Sequence, residues 1–182
     1  MNIAVYLGSS EGNDPIYKNE IKKLGELIGS GGHTLVYGGS SMGLMGAVAD
    51  AVLSSGGHVI GVEPGFFIET APQHEGIDEL IETTTIAERR EKMMELADLF
   101  IVFPGGIGTL DEMSEVFTMK TIGRLDKDII LYNLNNFYEF LIKMLDKMTE
   151  SGFITAENRK KLFIANDINE IEQILLSQRK QV

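Results

Sequence analysis

The run Leu99-Phe100-Ile101-Val102-Phe103 is followed directly by Pro104-Gly105-Gly106-Ile107-Gly108-Thr109-Leu110-Asp111-Glu112 and then by an amphipathic stretch. That order reads strand, glycine loop, helix. A short, continuously apolar strand has no polar face to show to water, so it belongs in a parallel sheet covered on both sides. The pattern recurs along the chain. Ile3 to Leu7, Thr34 to Tyr37, Val59 to Val62, Leu80 to Thr84, Leu99 to Phe103 and Ile129 to Tyr132 read as strands, separated by helix-like segments. The expected fold is therefore α/β: one doubly wound, Rossmann-like domain over residues 1–182, with a mostly parallel sheet flanked by helices.

Boundary signals place the helices. Asp14 offers an N-cap and Pro15 a first helical residue for a helix that ends near Gly31-Gly32. Leu44 to Leu53 forms a helix closed by Gly56-Gly57. Thr85 and Glu88 make a capping-box pattern for a helix through Ala97, and Asp167 and Glu170 repeat it before a last helix. Asn136 to Glu150 is helical, and Pro64 to Ile77 is the longest irregular stretch. Loops of that length inside a compact domain are commonly functional.

Composition excludes several classes. The 182 residues carry a net charge of −11, which argues against a nucleic-acid polymer as partner, since that needs a basic stripe. Cysteine is absent, so there is no disulfide framework, thiolate nucleophile or Cys-type metal site; this fits a cytoplasmic protein. His33, His58 and His74 lack metal-ligand spacing. The chain enters its first strand at once, with no signal-peptide layout, and no apolar run exceeds five residues, so no membrane span is expected. There is no Walker loop and no nucleophile elbow.

Three glycine-bearing turns lie at strand C-termini: Gly8-Ser9-Ser10, Gly38-Gly39-Ser40-Ser41-Met42-Gly43, and Gly105-Gly106-x-Gly108-Thr109. In an open α/β sheet these open on one crevice. The second turn lacks dinucleotide spacing, and no acidic residue follows in the fingerprint manner unless Glu63 serves. At the third, the free N–H groups and positive dipole end of the following helix form an anion site suited to phosphate. Glu112 lies one turn into that helix. A dipole role alone would explain it, but its place beside the glycine loop favours a role in the site, whereas Asp111 turns to solvent. Glu115, three residues on, shares its face. The pair Arg89-Arg90 sits near a helix N-terminus, where the dipole is unfavourable; charge pattern alone favours a solvated face over a guanidinium turned inward.

Taken together, Arg89-x-x-x-Met93 and Pro104-Gly105-Gly106-x-Gly108-Thr109-x-x-Glu112 resemble the Lonely Guy (LOG) family of cytokinin riboside 5′-monophosphate phosphoribohydrolases, long labelled lysine decarboxylases. The resemblance extends to Val5-Tyr6-x-Gly8-Ser9-Ser10, Gly43-Leu44-Met45-Gly46, Asn133 with Phe137-Tyr138, and Ser151-Gly152-Phe153-Ile154. It implies a dimeric enzyme, without metal or organic cofactor, that cleaves an AMP-like nucleoside 5′-monophosphate to free base and ribose 5-phosphate. It makes Arg89 and Glu112 the catalytic pair and assigns Gly105, Gly106, Gly108 and Thr109 to the phosphate. Ser9, Gly38, Gly39 and Met93 then lie near the nucleotide, with Glu115 beside them. Val116, Met119 and Ile122 either continue an apolar dimer face or fill the core of one subunit.

Departures from the family pattern are Ser40 for a third glycine, Ile86-Ala87 for Met-His, Met119 for Trp, and Leu125 with Lys127-Asp128 before the sixth strand. They bear on base recognition and on the dimer contact. A broader AMP or purine nucleotide nucleosidase, and a nucleotide-carrying protein without activity, are the competing readings. A pyridoxal-phosphate decarboxylase is disfavoured, because no lysine beside the glycine turns is placed for a Schiff base.

Overall fold

The computed structural model describes residues 1–68 and 72–178. Seven strands form one sheet: β1 (Asn2–Tyr6), β2 (Thr34–Tyr37), β3 (His58–Pro64), β4 (Glu79–Thr83), β5 (Leu99–Val102), β6 (Asp128–Tyr132) and β7 (Leu162–Ala165). Their order is β4-β3-β2-β1-β5-β6-β7, and every pairing between them is parallel. The helices are α1 (Pro15–Ser30), α2 (Gly43–Ser54), α3 (Gly65–Ile68), α4 (Ile86–Leu96), α5 (Ile107–Thr121), α6 (Glu139–Glu150), α7 (Ala156–Arg159) and α8 (Ile168–Gln178).

Strand periodicity builds two cores. Along β1, Ile3 and Val5 point to one face and Ala4 and Tyr6 to the other; along β5, Leu99 and Ile101 oppose Phe100 and Val102. The first face is covered by α1, α2 and α8 through residues such as Ile21, Leu24, Val48, Val52 and Ile171. The second is covered by α4, α5 and α6 through Met93, Met113, Val116, Phe117 and Leu145. Val116 is thus core, which resolves that position of the α5 face, while Ile122 is exposed.

The capping residues act as their spacing predicts. The Asp14 carboxylate accepts from the Ile16 N–H at 2.9 Å, with Pro15 opening α1. Thr85 Oγ1 accepts from the Glu88 N–H at 3.1 Å, and Glu88 reaches back to the Thr84 N–H at 2.7 Å. Asp167 and Glu170 repeat the exchange, with Glu170 accepting from the Asn166 N–H at 2.7 Å.

Three expectations need correction. The helix expected from Asn136 begins at Glu139; Leu134–Asn136 forms a 3₁₀ turn, because Asn135 and Asn136 hold φ of 50° and 60°, outside helical space. The edge strand β7 and the short α7 were not expected. The stretch from Pro64 to Ile77 is not wholly irregular: β3 runs through Pro64, α3 follows, and Ser40 bridges to Gln73, while residues 69–71 lie outside the described residues.

Helices α1 and α2 meet closely because of glycine. A Cβ on Gly29 would stand 2.5 Å from the Val52 carbonyl oxygen. In an open helix Gly→Ala gains about 1 kcal/mol. Here overpacking costs about 1–3 kcal/mol and wins. Gly29→Ala is expected to lower the midpoint of urea unfolding, despite its better helix propensity.

Candidate active site

β1 pairs with β2 on one side and β5 on the other, and the two in-register pairings bring all three C-termini to one edge. The chain winds outward from β1 to β4 and then returns to β5. The turns after β1 and β5 therefore diverge, which makes this the switch point where ligands bind in such sheets. A cavity of about 530 Å³ opens there, a volume suited to a small ligand. The turns after β1 and β2, the end of β3, α2, α3, α4 and α5 with the residue before it line the cavity.

The glycine loop is fixed by packing. The Phe103 N–H donates to the Tyr6 carbonyl at 2.8 Å, and the Tyr138 hydroxyl donates to the Phe103 carbonyl at 2.8 Å. Tyr138 is itself set by Asn133, whose side-chain oxygen accepts the Tyr138 N–H at 2.8 Å. A side chain at Gly105 would strike the Thr109 hydroxyl and come within 2.7 Å of the Gly8 nitrogen, so this position admits only glycine. Gly106 caps α5 in an extended conformation and no side chain caps the helix. The N–H groups of Ile107, Gly108 and Thr109 have no intrahelical acceptor, and the helix dipole adds positive potential.

Arg89 and Glu112 meet across this cavity. Arg89 donates from Nη1 to Glu112 Oε1 at 2.6 Å and from Nε to the Val62 carbonyl at 3.0 Å. Both side chains are nearly buried, at 13% and 10% exposure. The solvated-face expectation for these arginines is therefore wrong: both reach from α4 to acids on α5, and those carboxylates outweigh the helix dipole. Arg90 pairs with Asp111 and, at 2.6 Å, with Glu115. Asp111 is exposed, as expected, yet it holds this ion pair. Burial pushes the Glu112 carboxyl above the usual glutamate range; Arg89 pulls it back down and Asp111 adds a smaller upward push.

Of the residues singled out in the sequence, Ser9, Gly38, Arg89, Gly106, Gly108, Thr109 and Glu112 line this cavity together. Four others do not. Met93 is fully buried in the second core, where it packs rather than facing a ligand. Glu115 is occupied by Arg90. Gly39, at φ +87°, lies behind the wall against Glu63. Gly105 faces a neighbouring cavity of about 250 Å³ with Tyr17 and Phe137. Gly8 and Ser40, from two of the turns expected to open on this crevice, line the main cavity as well, and Leu7, Met45, Phe67 and Ile107 do so without having been named as site residues. Glu63 does so too; its one sequence signal was a charge ending the apolar run of β3. Among the described residues no lysine lines this cavity, and no group of His, Asp or Glu could hold a metal ion.

A parallel sheet with a glycine loop at an open helix N-terminus and a buried Arg–Glu pair at its switch point defines a Rossmann-like protein. The solved molybdenum cofactor binding protein of Rippkaea orientalis superposes with a TM-score of 0.71 at 21% identity, covering 100% of this chain and 97% of that one. The molybdenum cofactor carrier protein of Chlamydomonas reinhardtii does so at 0.71 and 19%, covering 97% and 96%. These likenesses show the fold.

The family follows from sequence. The family model described as "Possible lysine decarboxylase" matches residues 45–175. A cytokinin riboside 5′-monophosphate phosphoribohydrolase of Arabidopsis thaliana is 38% identical over 93% of this chain and 79% of its own length. Another, from Oryza sativa subsp. japonica, is 37% identical over 93% and 70%. The chain belongs to the LOG family.

The Arg89–Glu112 contact makes a pH prediction. In Arg89→Met, Glu112 loses the cation that lowers its pKa, so its folded-state pKa rises further above the unfolded value. Between those values the folded state binds more protons than the unfolded one, so stability falls as pH rises through that window. Urea midpoints measured from about pH 4.5, the ordinary glutamate range, to neutrality should fall more steeply for the variant than for the parent.

Proposed function

We propose that this chain is an N-glycosidic bond hydrolase that cleaves a nucleoside 5′-monophosphate to free base and ribose 5-phosphate. The observation that carries the reading is the nearly buried Arg89–Glu112 pair, 2.6 Å apart, in one cavity with the open N-terminus of α5. The names of the curated relatives, each a cytokinin riboside 5′-monophosphate phosphoribohydrolase, support it. A protein that only carries a nucleotide needs the glycine cradle, not a desolvated carboxyl beside it.

The 5′-phosphate docks on the N–H groups of Ile107, Gly108 and Thr109, with Ser9 and Gly106 alongside. That remote binding energy holds C1′ against Glu112. As the C1′–N bond lengthens, positive charge builds on the ribose, and the carboxylate stabilises it in a site of low dielectric. Glu112 also orients a water: its hydroxyl bonds to C1′, its proton passes to the carboxylate, and the electrons of the broken bond leave with the base, which takes up a proton overall. Burial makes Glu112 a better proton acceptor than an exposed glutamate, and Arg89 keeps enough of it ionised to act. The scheme calls on no metal or organic cofactor. We assign cytokinin-type nucleotides as the substrate class on the relatives' names, and a cytoplasmic setting on the cysteine-free composition.

The test is base release, followed by chromatography, from AMP, an N6-prenylated AMP and the matching nucleosides. Monophosphates should be cleaved and nucleosides should not; equal rates would remove the phosphate role of α5. Glu112→Gln should lose about 10²–10³ in rate, with folding preserved by circular dichroism, whereas Asp111→Asn, in an exposed pair, should be mild. Near-normal turnover by folded Glu112→Gln would overturn the mechanism.

We also assign a homodimer, supported by the family resemblance and by exposed apolar side chains at Ile122, Phe140, Met144 and Phe153. Light scattering at micromolar concentration should give twice the chain mass of 20.1 kDa.

A further inference from the structure

Glu63 is a charged residue near the end of β3, whose residues from Val59 onward are otherwise apolar and buried. It is 5% exposed and lines the main cavity beside Met45 and Phe67. Its Oε2 is buried without a hydrogen-bond partner. Leaving such an oxygen unsatisfied costs about 1–3 kcal/mol, more when it is charged. Gln73 and Arg89 favour the charged form but leave Oε2 unpaired, and an apolar residue would fill the same place without that cost. The wall is also tight: a Cβ on Gly39 would lie 3.1 Å from Oε2, so Gly39 is what leaves room for the carboxyl.

Position along the sheet says which part of a nucleotide meets it. The anion site stands at the end of β5, and Glu63 at the end of β3, with β1 and β2 between them. Three strand spacings are about 14 Å. Arg89 bridges the interval, bonded to Val62 of β3 and to Glu112 of α5. With phosphate at α5 and the reacting sugar at Glu112, the base extends toward β3, between Met45, Phe67 and Glu63.

We infer that Glu63 determines base specificity by accepting a hydrogen bond from an N–H on the nucleobase edge, so that the site selects bases carrying an exocyclic amino group. This rests on the nucleotide reading above. Rotation about the last side-chain bond of a glutamate is soft and exchanges its two oxygens, so the unsatisfied one can turn to the ligand. Burial raises the Glu63 pKa, and the Gln73 side chain and Arg89 oppose the rise. Carboxylate and carboxylic acid both keep an acceptor, so the selection holds in either state. Adenine and N6-substituted adenines both offer this N–H; purine riboside 5′-monophosphate, which lacks the 6-amino group, does not.

The experiment is equilibrium binding by calorimetry in a Glu112→Gln background, so that turnover does not interfere. AMP, purine riboside 5′-monophosphate and ribose 5-phosphate are compared with Glu63 intact and with Glu63→Leu, Glu63→Met and Glu63→Gln. With Glu63 intact, AMP should bind at least about tenfold tighter than purine riboside 5′-monophosphate, from the strength of a hydrogen bond to a charged group. Glu63→Leu and Glu63→Met should bring the ratio to near one while leaving ribose 5-phosphate affinity unchanged. Glu63→Gln, which keeps an acceptor, should keep part of the preference.

No preference with Glu63 intact, or a preference that persists in Glu63→Leu or Glu63→Met, overturns the inference; so does failure of both nucleotides to bind. Absence of base release by the intact protein, with the binding preference present and dependent on Glu63, overturns only the hydrolase reading.

Discussion

A strand buried on both faces has no place for polar chemistry except beyond its ends. That constraint governs this molecule. Past Asn2 and Thr34, β1, β2 and β5 carry only apolar and aromatic side chains, with residues such as Ile3, Ala4, Leu35, Val36, Phe100 and Ile101 fully buried. Hydroxyls, glycines and charges are displaced to the turns that follow. Parallel register then brings those turns to one edge, and the return from β4 to β5 opens a crevice among them. The functional groups converge because the core leaves them nowhere else to go.

At that edge the dominant feature is electrostatic and local. The chain is strongly acidic overall, yet the cavity is not uniformly negative: α5 presents its positive end, and Arg89 offsets Glu112. Removing either partner from a pair this deeply buried leaves an uncompensated charge, which is why the two act as a unit. Arg90 serves the same helices from outside. By holding Asp111 and Glu115 it neutralises the carboxylates flanking Glu112 and ties α4 to α5. The two adjacent arginines thus do different jobs, one within the cavity and one beside it.

Much of this was legible in the sequence, because it depends on neighbours in the chain. Asp14-Pro15 marks a helix start through local hydrogen bonding, and Leu99 to Thr109 marks strand, loop and helix through apolarity and glycine alone. Relations across space were not legible. Arg89 and Arg90 read as solvated because the acids that bind them lie more than twenty positions away, on a helix whose angle to α4 no local pattern encodes. Met93 was placed near the nucleotide by the family resemblance; its side chain is fully buried in the core. β7 was missed although Leu162-Phe163-Ile164-Ala165 is as apolar as the strands that were read; at the sheet edge it leaves Phe163 exposed. Asn135 and Asn136 take left-handed conformations that shorten the expected helix, and asparagine permits these without requiring them.

Tyr138 carries a consequence of its own. The last third of the chain supplies none of the main cavity's lining, yet the Tyr138 hydroxyl holds the Phe103 carbonyl, one residue before the glycine loop, and Asn133 holds Tyr138 in turn while its amide donates to Asn166 beyond β7. The loop is anchored from behind by a strut whose footing was laid after the loop itself was synthesised. A chain that has emerged through α5 already carries every chemical group of the site but not yet this brace. The anion cradle therefore takes its final geometry only when the C-terminal segment docks, and completion of the chain becomes a condition on the precision of a site it never touches.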